Sequence, residues 1–106
     1  MFMDILYISH LSDKISAGPN WSVPASIRAQ SNLDNVLWIN ITSARMKHWL
    51  DVKCFYDIGE CRRLELKNLP VPFSFPDLVV FEGFYAIKEV LFSYELRRKR
   101  IPYVII

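Results

Sequence analysis

The 106-residue sequence predicts an α/β fold built on a doubly wound, mainly parallel sheet of about five strands. Three observations carry that expectation. Short, continuous apolar runs recur as Ile5-Leu6-Tyr7-Ile8, Val36-Leu37-Trp38-Ile39, Leu78-Val79-Val80-Phe81 and Tyr103-Val104-Ile105-Ile106, the pattern of strands buried on both faces. Segments with helix start and stop signals separate the runs. No internal repeat, low-complexity tract or linker divides residues 1–106, which therefore read as one domain.

The first run exits at Ser9-His10 and is followed by a polar loop containing Gly18-Pro19. Ser22 is a candidate N-cap with Pro24 in the first turn, where a missing N–H costs nothing. Val23 and Ile27 then give a helix of about ten residues, which Asp34-Asn35 ends before the second strand. Strand, helix and strand in that length form a right-handed crossover by default. Ser43 is a candidate cap for a short helix carrying Met46, Trp49 and Leu50. Residues 52–56 suit a third strand near the sheet edge, diluted by Lys53 and followed by Asp57.

Residues 57–76 carry mixed signals, including prolines at 70, 72 and 76, and read as a connection with at most a short edge strand or a turn of helix. The run at 78–81 leaves through Glu82-Gly83 into a helix expected over residues 84–99. Its core stripe is expected at Phe84, Ile87, Val90, Leu91 and Tyr94, which follow three- and four-residue steps. Arg97, Arg98, Lys99 and Arg100 complement the helix C-terminus, Pro102 stops the helix, and residues 103–106 form a last buried strand.

Composition narrows the functional classes. An apolar fraction of 52%, with seven Phe, five Tyr and three Trp, is too high for a disordered chain. Thirteen basic and eleven acidic residues leave a net charge of +2, too small for a chain whose main partner is duplex nucleic acid. No apolar run reaches the ~18–20 residues of a membrane span. Met1-Phe2-Met3-Asp4 lacks the basic flank and apolar core of a signal peptide, so the expected compartment is the cytoplasm. Cys54 and Cys61 lack a metal-ligand pattern and read as two reduced thiols, with a disulfide or a metal site as the alternatives. The triplets Asn20-Trp21-Ser22 and Asn40-Ile41-Thr42 match glycosylation acceptors but read as coincidental without a secretion signal.

Ligands of open α/β sheets bind beyond the carboxyl ends of the strands. That rule singles out His10, the loop from Gly18 through Pro19 and Asn20 to Ser22, and Glu82 as candidate substrate-binding residues. Free N–H groups and the dipole at the helix start after Gly18 favour an anion such as a phosphate. The loop also suits a plain capped helix, since neither a GxGxxG nor a P-loop pattern is present. His10 suits a sugar hydroxyl or a phosphate, or a plain surface role. Glu82 suits hydroxyl recognition or base chemistry, or a solvated or capping role. The basic cluster at 97–100 is either a solvated helix end or a surface for anionic headgroups.

Asp4-Ile5-Leu6-Tyr7-Ile8-Ser9-His10, Gly18-Pro19, Ser22-Val23-Pro24-Ala25 and Asn35-Val36-Leu37-Trp38-Ile39-Asn40 together resemble the amino-terminal half of GT-B glycosyltransferases. The group 1 family of bacterial polysaccharide and lipopolysaccharide synthesis is the nearest in pattern. Pro76-Asp77-Leu78-Val79-Val80-Phe81-Glu82-Gly83-Phe84-Tyr85 and Arg98-Lys99-Arg100-Ile101-Pro102-Tyr103 resemble the fourth strand, its helix and the fifth strand of that domain.

The resemblance implies a Rossmann-like amino-terminal domain that holds the acceptor, and a role for Gly18, beside Pro19, Asn20 and Ser22, near the donor phosphates. Glu82 stands where relatives often show His. The function implied is sugar transfer from a nucleotide-sugar to a saccharide or lipid-linked acceptor, without a bound metal or resident cofactor. Relatives continue into a His-Gly segment and a donor-binding carboxyl-terminal domain, so the chain is expected to be a partial domain, inactive alone. Peripheral contact with the inner face of a membrane, and self-association through the bare last strand or the nearby exposed apolar surface, are further expectations. The alternative is a stand-alone doubly wound binding or regulatory module without catalysis.

Overall fold

The computed structural model describes residues 2–11, 19–41, 55–57, 64–84 and 86–106, with backbone alone at 19–21 and 55–57. Strands β1 (Asp4–Ser9), β2 (Asn35–Asn40), β4 (Leu78–Glu82) and β5 (Tyr103–Ile105) form a parallel sheet, and the three residues of β3 (Phe55–Asp57) extend it past β2. The order is β3-β2-β1-β4-β5. The architecture is a small α/β fold consistent with a Rossmann-like sheet.

Alternation along each apolar run divides the core into two layers, because successive side chains leave opposite faces of a strand. Leu6, Ile8, Leu37, Ile39, Val79 and Phe81 face one side, under Phe92 and Leu96 of helix α2 (Ile87–Arg98). Ile5, Tyr7, Val36, Trp38 and Val80 face the other, under Val23 and Ile27 of helix α1 (Pro19–Ser31). The chain moves from β1 outward to β2, then returns past β1 to β4 and on to β5. A single crossover hand puts connections running in opposite directions on opposite faces, which is how α1 and α2 lie.

The connection after residue 63 holds one 3₁₀ turn, Leu66–Asn68, and contributes Leu64, Leu66, Leu69 and Phe73 to the α2 layer. The amino ends of the strands are tied by side-chain caps. Asp77 Oδ2 accepts the Asp4 N–H at 2.7 Å, and Asp34 Oδ1 accepts the Met3 N–H at 2.9 Å.

Three local expectations are corrected. Helix α1 starts at Pro19 and runs thirteen residues, so Ser22 lies inside its first turns and is not the N-cap. Proline's fixed φ and lack of an N–H suit Pro19 to the first helical position. Helix α2 starts at Ile87 and turns a different face inward: Glu89, Phe92, Ser93 and Leu96 are buried, whereas Ile87, Val90, Leu91 and Tyr94 are exposed. Phe84 precedes the helix and packs edge-to-face on Phe81 at 5.1 Å. β5 pairs with β4 in parallel but is an exposed edge, with Val104, Ile105 and Ile106 all solvent-facing. The expected helix after Ser43, residues 52–54 of the third strand, and both cysteines lie outside the described residues.

Helix α2 ends in a Schellman turn. The Ile101 N–H bonds the Leu96 carbonyl at 2.9 Å and the Arg100 N–H bonds the Arg97 carbonyl at 3.1 Å. Arg100 occupies the left-handed position, φ 57°, where glycine is usual. Among the described residues no helix is long and apolar enough to cross a membrane.

Candidate functional site

The end of β1 is anchored by a buried polar chain. The Trp38 indole N–H donates to Ser9 Oγ at 2.8 Å, and the Ser9 hydroxyl donates to Asn40 Oδ1 at 2.9 Å. The same Asn40 oxygen accepts the Leu11 N–H at 2.7 Å, while Asn40 Nδ2 donates to the Leu11 carbonyl at 3.4 Å. Asn40 therefore acts as a short extra strand for residue 11. It satisfies backbone groups that would otherwise be buried unpaired where the chain leaves the sheet. Its burial also removes it as a glycosylation acceptor.

Strand alternation sends Ser9 to the α1 face and His10 to the α2 face. There His10 Nε2 pairs with Glu89 Oε1. Glu89 is the third residue of α2 and is fully buried, while the His10 side chain keeps 17% exposure. Glu89 Oε1 also accepts the Ala86 N–H at 3.2 Å, the reach-back half of a capping box. One carboxylate thus caps the helix and orients the imidazole at the strand exit.

Gly83 follows β4 with φ 96°, a left-handed conformation that a β-carbon would oppose. This turn brings Glu82 and Gly83 beside His10 and Leu11, with Ser22 and Val23 of α1 and Ile106 completing the walls. The resulting pocket of about 210 Å³ lies at the carboxyl ends of β1, β4 and β5. β1 is the strand from which the chain departs in both directions, so this is the switch point of the sheet. Burial raises the Glu82 carboxyl above the usual range. The Tyr7 hydroxyl is pushed up by burial first, then by the charges of Glu82 and Asp34.

Of the six candidate residues, His10, Ser22 and Glu82 meet at this pocket. Pro19 and Asn20 form the first turn of α1, and Gly18 lies outside the described residues. Glu89 was missed because the expected stripe put the opposite face of α2 inward; its signal was a Glu at the third helical position, where capping carboxylates sit. Ser9 and Asn40 were legible as strand exits but not as a hydrogen-bonded pair. Imidazole, hydroxyl and carboxylate groups around a small apolar-walled space can donate to and accept from a ligand's hydroxyls. Among the described residues no group of three His, Cys, Asp or Glu side chains could hold a metal ion.

Comparison with protein-family models, curated proteins and solved structures returns no match to the chain. The fold and the switch-point pocket define the molecule as a small α/β protein with a parallel, Rossmann-like sheet.

Proposed function

We propose that this chain is the acceptor-side part of a GT-B glycosyltransferase, whose strand-exit pocket receives a saccharide or lipid-linked acceptor for surface polysaccharide synthesis. The nucleotide-sugar donor belongs to a separate domain, so the described residues bind and orient the acceptor and do not complete the transfer. The observation that carries this reading is the convergence of His10, Ser22 and Glu82 on one pocket. These are donor and acceptor groups suited to neighbouring sugar hydroxyls. The volume of about 210 Å³ falls below the ~300 Å³ typical of small-molecule sites, and suits one sugar ring better than a whole nucleotide-sugar.

The same small volume also favours a second reading, a stand-alone α/β binding or regulatory module without catalysis. Calorimetric titration separates the possibilities. On the glycosyltransferase reading, simple saccharides bind, Glu82→Ala and His10→Ala each weaken that binding, and nucleotide-sugars bind weakly or undetectably. A chain that binds nucleotide-sugars through Glu82, or binds no saccharide at all, contradicts it.

A further inference from the structure

Helix α2 carries apolar side chains on both of its sides. Opposite the buried Phe92 and Leu96 run Ile87, Leu91 and Tyr94, which are 79%, 63% and 57% exposed. They follow steps of four and three residues, one continuous face of a helix. Neighbouring exposed apolar side chains on one helix face form a patch of the kind that marks a contact surface. Beside this line an open groove of about 600 Å³ separates α2 from Leu64 and Glu65. Lys88 and Glu95 both line it, seven residues apart and so on the same flank. One helix thus presents protruding apolar groups and a groove beside them whose charged lining is mixed, Lys88, Glu95 and Arg98 from α2 and Glu65 across from it.

We propose that this face binds a second copy of the chain through an antiparallel, two-fold α2–α2 pairing with Leu91 beside the axis. In antiparallel helices related by a two-fold, like flanks meet. Lys88, three residues before Leu91, then stands opposite Glu95 of the other copy, four residues after, and the contact occurs twice. A parallel two-fold pairing would instead set this flank against the opposite flank of the other copy, and the Lys88–Glu95 contact would be lost. Self-complementarity of this kind is what an isologous interface requires. Glu95 is held in place by the Leu66 N–H at 3.2 Å and Lys99 Nζ at 3.4 Å, and a carboxylate has further acceptor sites for an incoming ammonium. The antiparallel arrangement also keeps the 97–100 basic clusters of the two copies at opposite ends. The face is limited to a single helix and its groove, so the dimer belongs to the weak, concentration-dependent class.

Sedimentation equilibrium of the full 106-residue chain tests this. The expected result is a reversible monomer–dimer equilibrium whose dissociation constant rises at least about tenfold in Leu91→Asp, and stays unchanged in Ile105→Lys on the β5 edge. Circular dichroism checks that both variants fold. Independently, with Cys54 and Cys61 both replaced by Ser, Leu91→Cys crosslinks to itself under mild oxidation, whereas Lys67→Cys, on the exposed 3₁₀ turn, does not. A monomer at every attainable concentration overturns the proposal, as does a dimer lost in Ile105→Lys but kept in Leu91→Asp. A monomer that sediments with phosphatidylglycerol vesicles through Leu91 also overturns it and assigns the face to a lipid surface.

Discussion

Glu89, at the third position of α2, pairs with His10 at the exit of β1, seventy-nine residues away in sequence, and closes the α2 layer over the strand ends. The pair joins helix capping to site geometry. The carboxylate that accepts the Ala86 N–H also pairs with the imidazole that lines the pocket. These two contacts help offset the cost of burying this acid.

Glu89→Ala is therefore expected to lower unfolding stability by about 1–3 kcal/mol, because it strands two partly buried groups, the Ala86 N–H and the His10 imidazole, and opens a small void. Glu89→Gln keeps an acceptor oxygen for the Ala86 N–H and costs less. Urea denaturation of both variants checks the order. Equal losses, or losses no larger than those at exposed Lys67, contradict the assignment.

Arg100 holds a left-handed conformation that glycine adopts at no steric cost. Arg100→Gly is expected to stabilise the chain by about 0.5–1 kcal/mol despite removing a basic residue near the helix C-terminus. A thermal melt that shows destabilisation would overturn the Schellman assignment of this turn.

How much of this was legible beforehand differs by element. The strands were readable because burial on both faces needs unbroken apolar runs, and residues 5–8, 36–39 and 78–81 contain them. The inward face of α2 was not. Its apolar periodicity is real but points outward, while the core accepts Glu89 and Ser93 because each finds a hydrogen-bond partner, His10 for one and the Val90 carbonyl for the other. Periodicity reports apolar surface and not what covers it. Similarly, Asn40 looked like an exit residue, and only the fold shows that its amide stands in for a strand beside Leu11. The start of α1 shifted because Pro19 and Ser22 are both acceptable near a helix start, so local chemistry alone did not choose between them.

Burial holds the Glu82 carboxyl above its ordinary value of 4.5. The unfolded chain releases this proton at lower pH than the folded one, so the stability linked to the group is fully present below 4.5 and is lost as pH rises through the folded value. Glu82→Gln removes that loss. It is expected to melt above the parent at neutral pH, with the gap narrowing as pH falls. A gap that is constant from acid to neutral pH contradicts a desolvated Glu82.

The central claim is that the switch-point pocket, and not the larger groove beside α2, receives a saccharide. Amide chemical-shift mapping during a titration with simple mono- and disaccharides tests it most directly. The account predicts saturable shifts at Leu11, Ser22 and Gly83, lost in Glu82→Ala, while Leu91 and Tyr94 stay still. Shifts confined to Leu91, Tyr94 and Glu95, or none at any of these positions, would contradict it.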